Sequence, residues 1–455
     1  MFSFFKDKNF MRVALTIAIP VAVQNIINTG INFADTLMVA TLDSASVASV
    51  GIANNVFYFW NTFSFGIISG GMVLCSQFYG ANKTSALRKT YGLTIIIDFI
   101  ASMIFFIPCF TATKKVLEIL TTSPKLINVG KDYLKIVCFM YPIQSVTFTT
   151  LLILRSFGKV KITVFSSLAT MITNIILNYI LINGHFGAPA LGVVGAAIAT
   201  IVSRLLEAVI LVTYLFVSKS VLVEKLSDLI AFFDREYLSL YFRTSIVTVI
   251  DEFVYGLGSS LYMVIYGRLP AVQVSAVTIV NVIYDLLLVF FIGFGSACSV
   301  IIGMDLGKND VECAKKKAKY FIELFVLLSI IFSIVTFLSK GFVCKIYENL
   351  GTETVHYINL LMIVVSIFML VGNYGFLFMV GILRAGGDIK ITIAIDLLSC
   401  WCLGVVFTFL SVMVWKQPIH IAYAWLLTDA VTKGIFGYMR YRKFKWANNL
   451  VSNVN

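Results

Sequence analysis

Long apolar segments follow one another along almost the whole chain, with short polar and charged segments between them. A transmembrane helix needs about 20 predominantly apolar residues to cross the hydrocarbon core of a bilayer. Twelve segments reach that length, so the pattern predicts an all-α polytopic membrane protein with twelve transmembrane helices. The predicted spans are residues 13–40, 46–74, 91–110, 131–154, 162–183, 190–217, 240–266, 274–303, 318–340, 355–383, 389–414 and 418–439.

The two halves of the chain resemble each other in sequence. Residues 154–163 and 383–392 are identical at six of ten positions, at an offset of 229. A second set of matches, at an offset of 227, pairs Val47, Val50, Ile52, Asn54, Gly66, Ser69, Gly80 and Asn82 with Val274, Val277, Ile279, Asn281, Gly293, Ser296, Gly307 and Asn309. Many transporters are built from such internal repeats, with the site between them. Because each half holds an even number of helices, we predict two parallel six-helix repeats around a central cavity.

The distribution of charge gives this architecture boundaries and an orientation. We assign residues 1–217 to an N-terminal lobe, 218–239 to a cytoplasmic linker, and 240–455 to a C-terminal lobe with a basic cytoplasmic tail. Placing both termini in the cytoplasm puts 25 basic residues in the inner segments and nine in the outer loops, as the positive-inside rule requires. We therefore predict an N-in, C-in protein of the plasma (inner) membrane.

Composition narrows the class of partner. Hydrophobic residues make up 59% of the chain and charged residues 13%, whereas soluble domains carry about 25% charged residues. The net charge of +12 is spread over many short loops, which favours anionic lipid at the cytoplasmic face over a nucleic acid. We expect a monomer whose partners are membrane lipid and a small-molecule substrate.

Polar side chains form a face on two spans of the first half. In the first span Asn25, Asn28, Asn32 and Asp35 recur every three or four residues, and the fifth span repeats a polar residue every four positions at Ser166, Thr170, Asn174 and Asn178. Carboxylate, amide and hydroxyl oxygens suit a hard cation, and a buried carboxyl suits a proton. Hydrogen bonds between helices are the alternative for each Asn, Ser or Thr. An acid within a span is by default a functional residue.

The second half carries different acids. Asp251 and Glu252 lie in the seventh span, where the repeat offset aligns Glu252 with Asn25 and aligns Asp35 with Tyr262. Further acids within the spans are Asp98, Glu207, Asp285, Glu323, Asp396 and Asp429. We count Arg204 as the one basic residue inside a span and expect it to pair with Glu207, three residues on. Nine acids against one arginine predict a cavity that favours cations.

Two further features bear on movement and on turns. Pro20 precedes the polar face of the first span, and because proline removes a backbone donor it predicts either a packed kink or a hinge. Gly158 and Gly387, in the two Leu-Arg-x-x-Gly segments, predict tight turns. We expect Arg155 and Arg384 to contact lipid headgroups or the carbonyl ends of helices.

These residues resemble the multidrug and toxic compound extrusion (MATE) family from end to end. The matching segments are PVAVQNIINTGINFADTLMVA at 20–40, SQFYGANK at 76–83, LRSFGKVK at 154–161, NIILNYILI at 174–182, GFGSACSVIIGMDLGKND at 293–310 and ILRAGGDIK at 382–390. The resemblance implies two six-helix lobes around a cavity with alternating access. It also implies export of organic cations and other amphipathic compounds in exchange for Na⁺ or H⁺, without another cofactor.

The resemblance also implies roles for individual residues. Asp35 matches the family's acid in the first helix, Asn174 an asparagine in the fifth, and Thr200 a threonine in the sixth. Asn178 stands where many relatives have aspartate. Glu252 matches a glutamate of some branches, and Asn373 replaces an aspartate of others.

We therefore expect a secondary antiporter and not an enzyme, since the chain has no His-Glu-x-x-His or nucleotide-binding motif. The cation- or proton-coupling candidates are Asp35, Glu252, Asn174, Asn178 and Thr200, of which Asp35, Asn174, Asn178 and Thr200 are candidate Na⁺ ligands. The substrate-cavity candidates are Asn25, Asn28, Asn32, Asp251, Asp285 and Asn373. A flippase for lipid-linked precursors is the alternative, but its anionic pyrophosphate calls for several basic residues in the cavity.

Overall fold

The computed structural model describes residues 3–223 and 235–452, and within these two ranges the chain forms helices and no strands. The first half contains α1 (Lys8–Val39), α2 (Ser44–Gly80), α3 (Thr84–Thr111), α4 (Thr113–Leu120), α5 (Pro124–Val137), α6 (Met140–Ser156), α7 (Val160–Asn183) and α8 (Val193–Val217). The second half contains α9 (Arg235–Tyr266), α10 (Ala271–Gly307), α11 (Val311–Ile346), α12 (Thr352–Met369), α13 (Tyr374–Phe376), α14 (Ile389–Asp396), α15 (Val406–Phe409) and α16 (Ile419–Arg442). Wider π-helical turns at 377–384, 397–405 and 410–414 follow α13, α14 and α15.

Each of the twelve predicted spans coincides with one helix or with a run of consecutive helical segments. In the described ranges eight segments are long and apolar enough to cross a bilayer on their own. A ninth is the fourth span, which consists of α5 and α6 and bends by 52° between them. The prediction of an all-α polytopic chain is confirmed.

The repeat is visible in the backbone at its turns. Asn82 and Asn309 follow the ends of α2 and α10 with φ of 57° and 63°, and Gly158 and Gly387 have φ of 82° and 79°. These left-handed conformations are strained for most side chains, but glycine and, to a lesser extent, asparagine adopt them readily. The matched residues are thus the ones that the turns require, and the tight turns predicted at both glycines are confirmed.

The described helices belong to two compact units. Of the described residues, one unit contains 3–22, 80–82 and 250–452, and the other contains 23–79, 83–223 and 235–249. The boundaries after Ala22 and after Val249 are 227 residues apart, which is the offset of the sequence repeat. Both boundaries therefore lie within the first helix of a repeat. The division into compact units has the same spacing as the sequence repeat.

Within each unit, a glycine brings two helices close together. In the first unit, a Cβ added at Gly293 of α10 would lie 2.6 Å from the carbonyl oxygen of Ala18 in α1. In the second unit, a Cβ added at Gly66 of α2 would lie 2.6 Å from the Cα of Val249 in α9. Gly66 and Gly293 are partners in the repeat, so both repeats use the same close contact.

The predicted linker at 218–239 is described only in part, because residues 224–234 lie outside the described ranges. Its last residues belong to α9, which begins at Arg235. In the predicted basic tail, the Trp446 side chain is fully buried and its ring nitrogen donates to the carbonyl of Tyr441 at 3.2 Å. The last residues of that tail, 453–455, also lie outside the described ranges.

Candidate ion and substrate sites

Asp35 lies in a group of amide and carboxylate side chains between α1 and α7. Asn178 Nδ2 donates to Asp35 Oδ1 at 2.5 Å and also contacts Asn174 Oδ1 at 3.1 Å. Both asparagines are completely buried, and Asp35 is partly buried. These three predicted residues are therefore brought together, because the four-residue spacing puts Asn174 and Asn178 on one face of α7.

Two polar atoms of this group have no hydrogen-bond partner among the described residues: Asn174 Nδ2 and Asn178 Oδ1. A buried polar atom without a partner is costly and calls for an explanation. Asn178 Oδ1 is an acceptor on the same amide that faces Asp35. If that amide turned over, it would present an oxygen where it now presents an N–H group.

The other candidates on the first polar face are more scattered. Asn25 and Asn28 are partly buried, and Asn32 is exposed on α1. Thr200 lies on α8, where its hydroxyl donates to the Ala196 carbonyl at 3.0 Å. Pro20 lies inside α1, and the helix continues through it.

Arg155 lies in a second polar network of the same unit. Its Nη2 donates to Gln24 Oε1 at 2.7 Å, and Gln24 Nε2 donates to Ser167 Oγ at 3.1 Å. The Arg155 side chain is buried, so the expected contact with lipid headgroups is wrong. The physical reason is that Gln24, on a neighbouring helix, supplies an acceptor inside the protein.

The predicted ion pair of Arg204 and Glu207 is confirmed. Arg204 Nη1 and Glu207 Oε2 are 2.9 Å apart, with Glu207 completely buried. The ion pair neutralises the charge of Glu207. Asp35, by contrast, accepts a hydrogen bond from an amide, that of Asn178.

In the C-terminal half, Arg384 binds both acids of α9. Its Nη2 donates to Asp251 Oδ2 at 2.8 Å and its Nη1 to Glu252 Oε1 at 2.6 Å. Arg384 is 4% exposed, so the prediction of a contact with lipid headgroups is wrong here as well. Glu252 therefore has an internal counter-ion, whereas Asp35 has an amide.

A second ion-pair group lies in the same unit. Lys433 Nζ is 2.8 Å from Asp396 Oδ1 and 3.1 Å from Asp429 Oδ1, and it lies 4.1 Å from the centre of the Tyr255 ring. Lys433 is buried within α16. The count of Arg204 as the one basic residue within the spans is therefore wrong. The predicted surplus of acids is much smaller, because Arg384 and Lys433 neutralise part of it.

Three remaining candidates have separate surroundings. Asp98 is completely buried on α3, and its Oδ2 accepts from Ser64 at 2.8 Å and Thr149 at 3.2 Å. Asn373 is buried and donates to the Met369 carbonyl at 3.1 Å. Asp285 is exposed on α10. The burial of Asp98 could not be predicted, because hydropathy gives the span but not which face packs.

The described residues contain no group of three or more His, Cys, Asp or Glu side chains arranged to hold a metal ion. Amide and hydroxyl oxygens beside a carboxylate can also serve as ligands of a hard cation. Asp35, Asn174 and Asn178 provide such oxygens in one place, and these are ligands that hard cations accept.

Known proteins resemble this chain over nearly its full length. The family model described as MatE matches residues 20–180 and again 246–410. The transporter YisQ of Bacillus subtilis, described as uncharacterized, is 24% identical and aligns with 97% of this chain and 95% of its own. The multidrug resistance protein NorM of Photobacterium profundum is 24% identical over 74% of each chain.

Solved structures agree with the fold. A MATE structure described as being in the bent conformation superposes with a TM-score of 0.84 at 18% identity, covering 96% of both chains. The eukaryotic MATE transporter AtDTX14 gives a TM-score of 0.84 at 18% identity, covering 97% of both chains. Twelve helices in two repeats, as predicted, fit that fold. Because the family model matches both halves of the chain, this protein belongs to the multidrug and toxic compound extrusion (MATE) family of membrane transporters.

Proposed function

We propose that the protein is a secondary antiporter that exports small organic compounds, cationic or amphipathic, in exchange for Na⁺ or H⁺. It acts by alternating access between its two lobes, as a monomer in the plasma membrane with both termini in the cytoplasm. The observation that supports coupling most directly is the group of Asp35, Asn174 and Asn178, in which a carboxyl within a span is bonded by an amide.

The proposed coupling group is the Asp35 carboxyl. Asn178 donates to it in the described arrangement, which stabilises the ionised carboxylate when no cation is present. When a cation binds, the Asn178 amide turns so that Oδ1, which has no partner among the described residues, faces the ion together with Asp35. A proton would bind to Asp35 directly, and Asn178 Oδ1 would accept it as a hydrogen bond.

The substrate class rests on the relatives. NorM of Photobacterium profundum is described as a multidrug resistance protein. We propose a similar breadth of substrate here, with Asn25, Asn28, Asn32, Asp251, Asp285 and Asn373 as substrate-cavity residues. Thr200 remains a proposed neighbour of the ion site.

A flippase for lipid-linked precursors is the second candidate, and the surroundings of the basic residues weigh against it. A pyrophosphate needs cationic side chains that are free to bind it. The basic residues buried or partly buried in the spans already have partners: Gln24 for Arg155, Glu207 for Arg204, Asp251 and Glu252 for Arg384, and Asp396 and Asp429 for Lys433.

Ion flux in proteoliposomes tests the proposal. Full-length protein is reconstituted, an organic cation is loaded, and efflux is measured under an imposed Na⁺ gradient or an imposed H⁺ gradient. We expect one of the two gradients to drive efflux. We expect Asp35→Asn to reduce that driven efflux at least tenfold, because an amide carries no negative charge to bind a cation and does not take up and release a proton.

The matched control is Asp132→Asn, which changes an exposed acid of α5 in the same unit. It should leave driven efflux at the wild-type rate. Ion-driven efflux that persists unchanged in Asp35→Asn would disprove coupling at Asp35, and efflux that neither gradient accelerates would disprove antiport.

A further inference from the structure

One carboxylate of α11 binds the segment that precedes α1. Residues Ser3–Lys6 of that segment form a short 3-10 helix. The backbone nitrogen of Ser3 donates to Glu323 Oε2 at 2.6 Å, and the Ser3 hydroxyl lies 2.7 Å from each carboxylate oxygen. The backbone nitrogen of Phe4 is 3.4 Å from Oε2. Glu323 thus receives N–H and O–H donors from the other end of the chain, and hydrogen bonds to an ionised acceptor are the stronger kind.

Aromatic packing adds to this contact. Phe4 is completely buried, and Phe10, in the first turn of α1, is 3% exposed. The centre of the Phe10 ring lies 5.1 Å from that of Tyr320 and 5.0 Å from that of Phe321, both on α11. Asp7 Oδ1 accepts from the backbone nitrogen of Phe10 at 2.9 Å, which caps the start of α1. The segment and the first turn of α1 therefore form one packed element on α11.

The position of α1 makes this contact a constraint on movement. The first part of α1, up to Ala22, belongs to the compact unit that contains α10 and α11, and the rest of α1 belongs to the other unit. Within that first part, Ala18 lies close against Gly293 of α10. A change in the arrangement of the two units must therefore either bend α1 after Ala22 or separate the beginning of α1 from α10 and α11.

We propose that residues 3–10 are a latch, held closed by Glu323, which opens when the protein changes conformation during transport. Opening breaks the hydrogen bonds of Ser3 and Phe4 to Glu323, so the closed latch stabilises the arrangement in which α1 begins on α11. The latch rests on the alternating access of the proposed function, but neither Asp35 nor the coupling ion takes part in it. Glu323 is in this sense a positioning residue for α1.

Limited proteolysis of the purified full-length protein in lipid nanodiscs tests the contact. The Lys6 and Lys8 side chains are exposed, but the peptide bonds that follow them belong to the packed segment, so trypsin should cut there slowly while the latch is closed. We expect Glu323→Gln to be cut there about tenfold faster than the wild type, because hydrogen bonds to a neutral acceptor are weaker. Mass spectrometry of the fragments gives the rates.

Two variants of Ser3 and a control on the same helix make this test specific. Ser3→Asp places a second carboxylate against Glu323 and should be cut at least as fast as Glu323→Gln. Because Ser3 precedes the helices, Ser3→Asp carries the test if Glu323→Gln fails to fold. In a Glu323→Gln background Ser3→Asp should add little, since the carboxylate that it repels is gone. Glu312→Gln, at an exposed acid of α11, should be cut at the wild-type rate.

A latch that opens, unlike a fixed contact, must respond to the state of the transporter. We therefore compare cleavage after Lys6 with and without Na⁺, at mildly acidic and alkaline pH, and with tetraphenylphosphonium, an amphipathic organic cation. Relative to Glu323→Gln under the same conditions, the wild-type rate should change about threefold in at least one of them, because ligands shift conformational populations. Wild-type protection in both Glu323→Gln and Ser3→Asp, or a wild-type rate that no condition changes, would overturn the proposal. A failure of ion-driven efflux would instead disprove antiport and leave the cleavage rates of the variants unaffected.

Discussion

The residue at position 178 determines whether Asp35 has a neutral or a negatively charged neighbour. Its amide donates to Asp35 at 2.5 Å, so an aspartate there would place two carboxylates in contact, an arrangement that binds a cation or a proton more tightly. We predict that Asn178→Asp lowers the concentration of the coupling ion needed for half-maximal efflux about tenfold, which is about 1.4 kcal/mol of binding. Efflux from proteoliposomes at a series of Na⁺ concentrations and pH values measures it.

The comparison variant for this prediction is Asn183→Asp. It adds the same charge at the exposed end of the same helix, and it should leave the ion dependence as it is in the wild type. An equal shift in both variants would mean that general surface charge, and not contact with Asp35, sets the ion affinity.

The sequence predicts the group around Asp35 better than it predicts the contacts of Arg384. Asn174 and Asn178 are identified as neighbours because their spacing is that of one helix face, and Asp35 because an acid in a span is rare. For Arg384 the sequence predicts a contact with lipid headgroups or with the carbonyl end of a helix, because Arg384 directly follows the tenth span. Its contact with Asp251 joins residues 133 positions apart, and no local pattern specifies which distant helices meet.

At the scale of the helices, Gly66 determines how closely α2 approaches α9, and Gly293 determines how closely α10 approaches α1. A Cβ at either position would lie 2.6 Å from backbone atoms of the neighbouring helix, so one helix must shift. Overpacking of this kind costs about 1–3 kcal/mol. We predict that Gly66→Ala and Gly293→Ala each lower the free energy of unfolding by about that amount, measured by denaturant or thermal unfolding of the purified protein.

Gly51→Ala is the control on the same helix as Gly66. Nothing lies within 4 Å of a Cβ at Gly51, and alanine favours a helix over glycine by up to about 1 kcal/mol. The control should therefore be as stable as the wild type or more stable. A destabilised Gly51→Ala with an unaffected Gly66→Ala would contradict the close packing of α2 on α9.

Spans are easier to predict than their internal breaks. All twelve apolar segments are helical, because a long apolar segment in a bilayer must satisfy its backbone hydrogen bonds within itself. The 52° bend between α5 and α6 and the π-helical turns after α13 to α15 leave no mark in the apolar pattern, because a change in winding alters neither composition nor length. Gly158 and Gly387 are predictable as turns, because glycine adopts backbone conformations that other residues avoid.

For the whole molecule, the two repeats share a scaffold but differ in charge. Arg155 and Arg384 occupy matching segments, and each binds the first helix of its own repeat. Gln24 stands in the position that Asp251 occupies at an offset of 227, so the arginine binds a neutral amide in the first repeat and a carboxylate in the second. Both repeats therefore keep the contact of the arginine with the first helix, but the charge of its partner differs between them.

Placing a carboxylate beside Arg155 in the first repeat tests how much this contact contributes to stability. Gln24→Glu would replace the neutral amide that accepts from the buried Arg155 guanidinium by a carboxylate, and it would remove the N–H group that Gln24 donates to Ser167. Because pairing a buried cation with a carboxylate outweighs the loss of one neutral hydrogen bond, we expect a net gain of about 1 kcal/mol. We predict a higher free energy of unfolding for Gln24→Glu by about that amount, and a loss of about 1–3 kcal/mol for Gln24→Leu, which leaves a buried cation without its described acceptor. Unfolding of both variants beside the wild type measures the difference. Equal stability of all three proteins would mean that water or lipid already solvates Arg155, and that its hydrogen bond to Gln24 contributes nothing to holding α1 against α6.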